Sequence, residues 1–186
     1  ELFKQKKITG LMNYTNINDL HQLVTRPEQT VVVCHVPRKF NNIENCVDMA
    51  YFAEREDHSL MPGIVVEEMI RDTVRKAHGK EIDQTELERI AKQNGFTFKR
   101  ENRGNEELKK IYEEIGITKA VSGHFHESSH RAHDSNGNHI PEDTYTPTLF
   151  WNSGHGDVGH FGILEVDGNK VRYHNLKVGP RESRIV

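Results

Sequence analysis

Residues 117–126 read ITKAVSGHFH, and this stretch decides the fold class predicted from the sequence. The segment ITKAVS is typical of a strand, and a polar loop follows the two histidines. Residues i and i+2 of an extended or bent segment point to the same side. His124 and His126 are therefore expected to face one shared volume, with Phe125 turned into the core. Gly123 is expected to permit the sharp bend that takes the backbone off the sheet.

A second strand with a histidine at its end lies earlier in the chain, in VVVCHVP at residues 31–37. The β-branched run from Val31 to Val33, ending at Cys34, predicts a buried strand, and Pro37 stops it. His35 then lies at the C-terminal end of this strand, the edge where open α/β sheets bind ligands. Neutral imidazoles bind Zn, Mn, Fe or Ni, so the pattern is compatible with a metal site. A polar loop in a chain with twelve histidines remains the alternative for the paired histidines alone.

The intervening residues 39–116 are predicted to be mainly helical. Apolar residues recur at intervals of three and four in IVVEEMIRDTVRKAH (residues 64–78) and in NEELKKIYEEIG (residues 105–116), where Gly116 ends the helix. In DQTELERIAKQNG (residues 83–95), Thr85 and Glu88 form a capping-box pattern and Gly95 marks the helix end. The charged residues of this region are expected on solvated helix faces.

Three further strands are predicted after the polar loop, in TLFWNSG, HFGILEV and KVRYHNLKV, as a β-meander. The sequence VDGNK between the last two favours a tight hairpin, and Phe150 and Trp151 are expected in the core. The other histidines of the polar loop, His130, His133 and His139, are expected to be exposed. The order of elements predicts one α/β domain with layered sheets.

Composition excludes several classes of function. The net charge of −3 gives no electrostatic footprint for nucleic acid, and no apolar run approaches the roughly 18 residues of a membrane span. The start of the sequence lacks the apolar region of a signal peptide. The two cysteines, Cys34 and Cys46, have neither metal-type spacing nor the count of a disulfide framework. We therefore expect a cytoplasmic protein with reduced thiols.

Three segments taken together, VVVCHVP, SGHFHE and LFWNSGHGDVGHFGILEVDG, resemble the C-terminal half of the calcineurin-like metallophosphoesterase family. That family has a strand ending in His-x-Pro, a later strand ending in Gly-His-x-His, and an Asn-(Pro/Ser)-Gly turn into a hairpin. The resemblance covers residues 7–38 and 117–178. It implies part of a layered αββα sandwich, in which residues 39–116 are a helical insertion or cap between the two motif strands.

The resemblance also implies a ligand set for two divalent metal ions. His35 and His124 match ligands of the second metal, and His126 matches a ligand of the first. The implied reaction is hydrolysis of a phosphomonoester or phosphodiester by metal-bound hydroxide, with Mn, Fe, Zn or Ni as the metals. Arg38, next to Pro37, and His155, in the turn that lines the family's site, are candidate contacts to the phosphorylated substrate.

The motifs of the family's N-terminal half, Asp-x-His, Gly-Asp and Gly-Asn-His, are not found before His35. Three similar patterns are rejected by their context: Asp19-Leu20-His21 fits a helix, Gly137-Asn138-His139 lies in a turn-rich loop, and Gly156-Asp157 comes late. We expect the remaining ligands and the general acid to come from an N-terminal segment or a partner chain. The alternatives are a non-catalytic scaffold, or a metal-binding regulatory module that uses the loop histidines.

Overall fold

The computed structural model describes residues 17–41 and 44–179, so the part of the resemblance that falls on residues 7–16 lies outside it. The described residues form a mixed α/β fold with parallel and antiparallel sheets and four α-helices. The strands are β1 (Val32–Val33), β2 (Met49–Arg55), β3 (Leu60–Pro62), β4 (Phe96–Asn102), β5 (Lys119–Ser122), β6 (Ala132–His133), β7 (Leu149–Asn152), β8 (His160–Asp167) and β9 (Lys170–Lys177). The helices are α1 (Leu20–Leu23), α2 (Gly63–His78), α3 (Gln84–Gln93) and α4 (Glu106–Ile115).

The sheet that carries the histidine motifs has the order β1-β5-β7-β6. Strands β1, β5 and β7 are parallel, so the loops after β1 and β5 leave the same edge of the sheet. Phe150 and Trp151 of β7 are buried, as the sequence predicts, and so is Ala120 of β5. This arrangement brings the chain after Val33 and the chain after Ser122 to one place.

Strand β1 is shorter and more exposed than the sequence predicts. It consists of two residues, pairs only with β5 among the described strands, and leaves Val33 79% exposed. The prediction of a buried strand over Val31 to Cys34 is therefore wrong. β-branched residues favour extended backbone whether or not their side chains are covered, and a strand at the edge of a sheet has a neighbour on one side alone.

The prediction that residues 39–116 are mainly helical is incomplete, because it missed a sheet. The region contains helices α2, α3 and α4, but it also contains the antiparallel sheet β3-β2-β4. Helices α2 and α3 pack on this sheet through a core of their own, whose buried members include Ala53, Val66, Ile70, Leu87 and Phe96. The inserted region is therefore an α+β unit.

The ends of the helices follow local sequence signals, with one shift in register. Gly95 and Gly116 follow α3 and α4 with positive φ angles of 76° and 78°, as predicted. Helix α3 begins earlier than the pattern of Thr85 and Glu88 indicates. Its N-cap is Asp83, whose carboxylate accepts the backbone N–H of Glu86 at 2.8 Å. An aspartate accepts this bond as well as a threonine does, so the upstream cap is used.

The last two strands form a separate hairpin, which corrects the predicted β-meander. β7 pairs with β5 and β6, whereas β8 pairs with β9 alone in the described sheets. The predicted Asp-Gly turn is confirmed, with Gly168 at a φ of 58°. The hairpin packs closely on Trp151, because a Cβ atom at Gly162 would lie 2.1 Å from the indole ring. None of the helices in the described ranges combines the length and the hydropathy required to cross a bilayer.

Candidate functional site

The structure brings His35 and His124 into direct contact. His35 follows β1, His124 follows β5, and these strands are parallel neighbours. Nε2 of His35 lies 3.1 Å from Nδ1 of His124, and the two exposed rings meet edge to face. The backbone N–H of Gly123 donates to the carbonyl of His35 at 3.1 Å, which fixes the two loops against each other. Two residues 89 positions apart in the sequence thus share one site.

The bend after β5 is made by His124 and not by Gly123, which corrects the prediction. His124 has a φ of 67°, in the left-handed region, which is uncommon for residues other than glycine although asparagine, aspartate and histidine are enriched there. The surroundings hold this conformation, since Asn152 donates through Nδ2 to the carbonyls of Gly123 and Phe125, and the Phe125 ring is buried. A non-glycine residue held at positive φ is a form of backbone strain that occurs at functional sites.

His126 begins the 3-10 turn His126–Ser128, and its ring stacks on that of His155. The ring centroids are 3.9 Å apart and the planes differ by 10°. His155 directly precedes the 3-10 turn Gly156–Val158. The structure therefore brings the candidate substrate contact His155 to the candidate ligand His126, as the sequence reasoning expected for this turn.

Burial and mutual repulsion favour neutral imidazoles at this site. The pKa of His124 is lowered mainly by partial desolvation of the ring and to a smaller extent by the neighbouring His35. The pKa of His155 is lowered in the same way, by desolvation and then by the neighbouring His126. Nδ1 of His155 is buried and has no hydrogen-bond partner among the described residues. Neutral rings keep a lone pair available for a metal ion or for a donor on a ligand.

A cavity of about 600 Å³ adjoins these histidines. His124, His126 and His155 line one side of it, together with Glu127 and Asp157. Most of the remaining lining comes from the inserted unit, from β2, β3 and the first turn of α2. His124 and His126 thus face one shared volume, as predicted from their spacing, and Phe125 between them is buried against β2.

Two hydrogen bonds join the histidine loop to the inserted unit. The carboxylate of Glu127 accepts the backbone N–H of Tyr51, and the hydroxyl of Ser128 donates to the carbonyl of Met49 at 2.7 Å. Ser128 is fully buried. Glu127 and Ser128, the two residues after the GHFH motif, therefore hold the histidine loop at a fixed position relative to the inserted unit. The sequence analysis did not identify this role.

Arg38 is placed away from the histidines by its contacts. The side chain is buried, forms an ion pair with Glu113 of α4 at 3.3 Å, and stacks on Phe40 and Phe150. Burial lowers the pKa of this guanidinium, and Glu113 opposes that effect. These contacts give Arg38 a structural role between the sheet and α4, so the structure does not bring the two candidate substrate contacts, Arg38 and His155, together.

The remaining loop histidines make internal hydrogen bonds, and the prediction that all three are exposed is wrong. His133 is 1% exposed, accepts the backbone N–H of Val47 at 3.0 Å through Nε2, and bonds the carbonyl of Asp134 through Nδ1. Nε2 of His130 lies 3.1 Å from the carbonyl of Phe161. Both rings are engaged because the loop folds back over β7 as β6 and does not extend into solvent.

Two of the three patterns rejected in the sequence analysis occupy the contexts predicted for them, whereas Asp157 of the third lines the cavity together with His155. Asp19 and His21 lie in consecutive helical turns, and His21 pairs with Glu114. The loop containing Asn138 is organised by Asp134, whose carboxylate accepts the N–H groups of Asn136 and Asn138. Within the described ranges, no group of three or more His, Cys, Asp or Glu side chains is arranged to hold a metal ion.

Comparison with known proteins gave no relative: no family model, no curated protein and no solved structure matches this chain. Function is therefore inferred from the positions of these side chains.

Proposed function

We propose that this chain is the C-terminal part of a metal-dependent phosphoesterase with the layered αββα sandwich of the calcineurin-like type. The observation that carries the proposal is the 3.1 Å separation of the His35 and His124 nitrogens at the ends of two parallel strands. That edge of a parallel sheet is where α/β proteins bind their ligands. The shared cavity beside His126 supplies room for a substrate.

The nitrogens of His35 and His124 are hydrogen-bonded to each other, and their separation is compatible with one divalent metal ion shared by the two rings. Metal–nitrogen distances of about 2.0–2.1 Å place two imidazole nitrogens about 2.9 Å apart at a right angle and about 3.4 Å apart at the tetrahedral angle. The distance between His35 Nε2 and His124 Nδ1 lies between these values. The lowered pKa of His124 also keeps that ring neutral, the form that binds metal.

In this proposal His35 and His124 hold one metal ion and His126 holds the second, with Mn, Fe, Zn or Ni as the candidates. Such ions polarise a phosphoryl oxygen and lower the pKa of a bound water. His155, stacked on His126, orients the substrate from the side of the hairpin. Arg38 is not assigned a phosphate contact, because its guanidinium is already paired with Glu113.

The proposal requires carboxylate ligands from outside the described residues. Three neutral imidazoles offset none of the charge of two divalent ions. Two carboxylates line the cavity, but that of Glu127 accepts a hydrogen bond from Tyr51, and no group of three or more His, Cys, Asp or Glu side chains among the described residues is arranged around a metal ion. An N-terminal segment or a partner chain would supply the missing aspartates. We expect the 186-residue chain alone to bind at most one metal ion, weakly, and to hydrolyse phosphodiesters slowly.

The test measures Zn²⁺ binding to the chain by calorimetry and native mass spectrometry. Hydrolysis of bis(p-nitrophenyl) phosphate is measured in parallel. His35→Ala and His124→Ala are expected to abolish metal binding. His78→Ala is the matched control, because His78 is exposed at the C-terminal end of α2 and is not part of the cavity lining. Metal uptake that survives both site variants but is lost in His130→Ala would favour the regulatory module instead. Fast metal-dependent hydrolysis by the chain alone would refute the need for further ligands.

A further inference from the structure

Apart from the histidines and the two carboxylates, the cavity is lined mainly by apolar side chains of the inserted unit and of the turn before β8, and these form its apolar side. They are Phe52, Leu60, Met61, Ile64, Val65 and Val158. Four of these, Leu60, Ile64, Val65 and Val158, are between 44% and 52% exposed. Exposed apolar side chains gathered around one concave surface mark a binding site more often than scattered ones do.

This exposure is imposed by the packing of α2. Val66 and Ile70 are buried in the core of the inserted unit and fix the rotation of the helix. Ile64 and Val65 precede Val66 in the first turn and are consequently held toward the cavity. The apolar surface is thus a fixed feature of the fold.

The charged groups that line the cavity also limit which ligands can bind. Among the described residues that line it there is no lysine or arginine, the histidines supply the nitrogen donors, and Glu127 and Asp157 add two carboxylates. A second anionic group on a ligand would therefore meet no cationic side chain in the cavity lining and would be repelled by these carboxylates. A ligand with one anionic end and a compact apolar body would match both sides of the cavity.

The distance between the two sides is set by the protein. The hydrogen bonds from Tyr51 to Glu127 and from Ser128 to the Met49 carbonyl join β2 to the histidine loop. Phe125, between the two motif histidines, packs directly on Ala50 and Phe52. A volume of about 600 Å³ has room for a phosphate group and an attached organic group, so the preference among esters comes from the apolar lining and not from the volume.

We propose that this site takes monoesters of phosphate with a compact apolar alcohol or phenol, and that the inserted unit at residues 39–116 sets this preference. The inference rests on the proposed function, because the histidine side is assumed to receive the phosphate. The apolar side then holds the organic group, and nucleotides are disfavoured because a ribose would lie against aliphatic side chains.

The experiment compares the binding of phenyl phosphate, methyl phosphate and adenosine monophosphate to the full chain in the presence of Zn²⁺, by NMR titration. We expect phenyl phosphate to bind about tenfold more tightly than methyl phosphate, since its ring is removed from water against the apolar side. Adenosine monophosphate is expected to bind no more tightly than methyl phosphate.

The double variant Leu60→Ser, Ile64→Ser tests where the preference arises. Both side chains are exposed, so the fold should tolerate the change, and the ratio of the two dissociation constants should fall to about one. Met69→Ser is the matched control: Met69 lies on the same helix, is 47% exposed and is outside the cavity lining, so the ratio should stay at about ten.

Two outcomes overturn the inference while leaving the proposed function intact. In the first, methyl phosphate binds with metal but phenyl phosphate binds no better. In the second, the preference for phenyl persists in the double variant. If none of the three esters binds although calorimetry shows that Zn²⁺ is bound to the chain, the proposed function itself fails and the inference fails with it.

Discussion

Replacing His124 by glycine is expected to give a more stable protein than replacing it by alanine. The φ of His124 is 67°, and an L-residue in the left-handed region costs about 1–2 kcal/mol. Glycine avoids this cost, but it loses more conformational freedom on folding than alanine does. That loss destabilises the glycine variant by about 0.4–1 kcal/mol. The net expectation is a glycine variant about 1 kcal/mol more stable than the alanine variant, with the imidazole absent from both.

The assay is urea unfolding followed by far-ultraviolet circular dichroism. With a slope of about 2 kcal/mol/M, the glycine variant should unfold at a midpoint about 0.5 M higher than the alanine variant. His126 provides the matched control, because it lies two residues away in the same motif but begins a 3-10 turn without positive φ. There the order should reverse, with alanine more stable than glycine by about 0.5–1 kcal/mol.

The reasoning would be refuted if His124→Ala were as stable as His124→Gly, or more so. That result would mean that the backbone at this position leaves the left-handed region once the imidazole is removed. The same order of stability at both positions would show that the difference reflects glycine in general and not the bend.

Three further predictions concern other parts of the fold. Gly162→Ala should lower the free energy of unfolding by more than about 2 kcal/mol or prevent folding, because the added Cβ would lie 2.1 Å from the Trp151 ring. Gly123→Ala is the control and should lower it by less than about 1 kcal/mol, because the nearest atom to its added Cβ is 3.7 Å away. Equal losses of stability in thermal unfolding would contradict the packing of the hairpin on Trp151. Burial lowers the pKa of His133 from 6.5, so the unfolded chain takes up this proton more readily and the free energy of unfolding should fall as the pH drops below about 6.5. In urea titrations between about pH 7 and pH 5, the free energy of unfolding of His133→Gln should fall less with pH than that of the wild-type protein. An equal fall in the two proteins would count against a buried neutral ring at His133. Asp48→Ala should destabilise by about 3 kcal/mol in the same assay, because the fully buried carboxylate accepts two backbone N–H groups that would lose their partner; a loss below about 1 kcal/mol would show that water replaces it.

Strong periodicity made parts of the fold predictable. Helices α2 and α4, strands β5 to β9 other than β6, and the Asp-Gly hairpin all follow from local patterns. Strands β2 and β4 were missed because MAYFAER and FTFKREN mix charged and apolar residues and lie next to strongly helical segments. Their strand conformation depends on seven paired positions between them, a tertiary effect that no short window contains.

The candidate site also has features that the sequence predicts and features that it does not. The contact of His35 with His124 was predictable, because each follows a strand and parallel strands end at one edge. The apolar side of the cavity was not predictable, since its residues at 50–65 reach the histidines through tertiary contacts: the packing of Phe125 on β2 and two hydrogen bonds from the histidine loop. The burial of His133 was missed for a similar reason: its partner, the N–H of Val47, is 86 positions away.

The pairing of Met49 with Asn102 has a consequence for the order in which the protein folds. His35 and His124 are 89 positions apart, so joining them requires the closure of a long loop. The inserted unit has its own core and brings residues 49 and 102 together, which shortens that loop by more than half. Each halving recovers about 0.6 kcal/mol of closure entropy. We therefore expect the insertion to form early, and core substitutions such as Leu87→Ala to slow the refolding rate of the parallel β1–β5 pair.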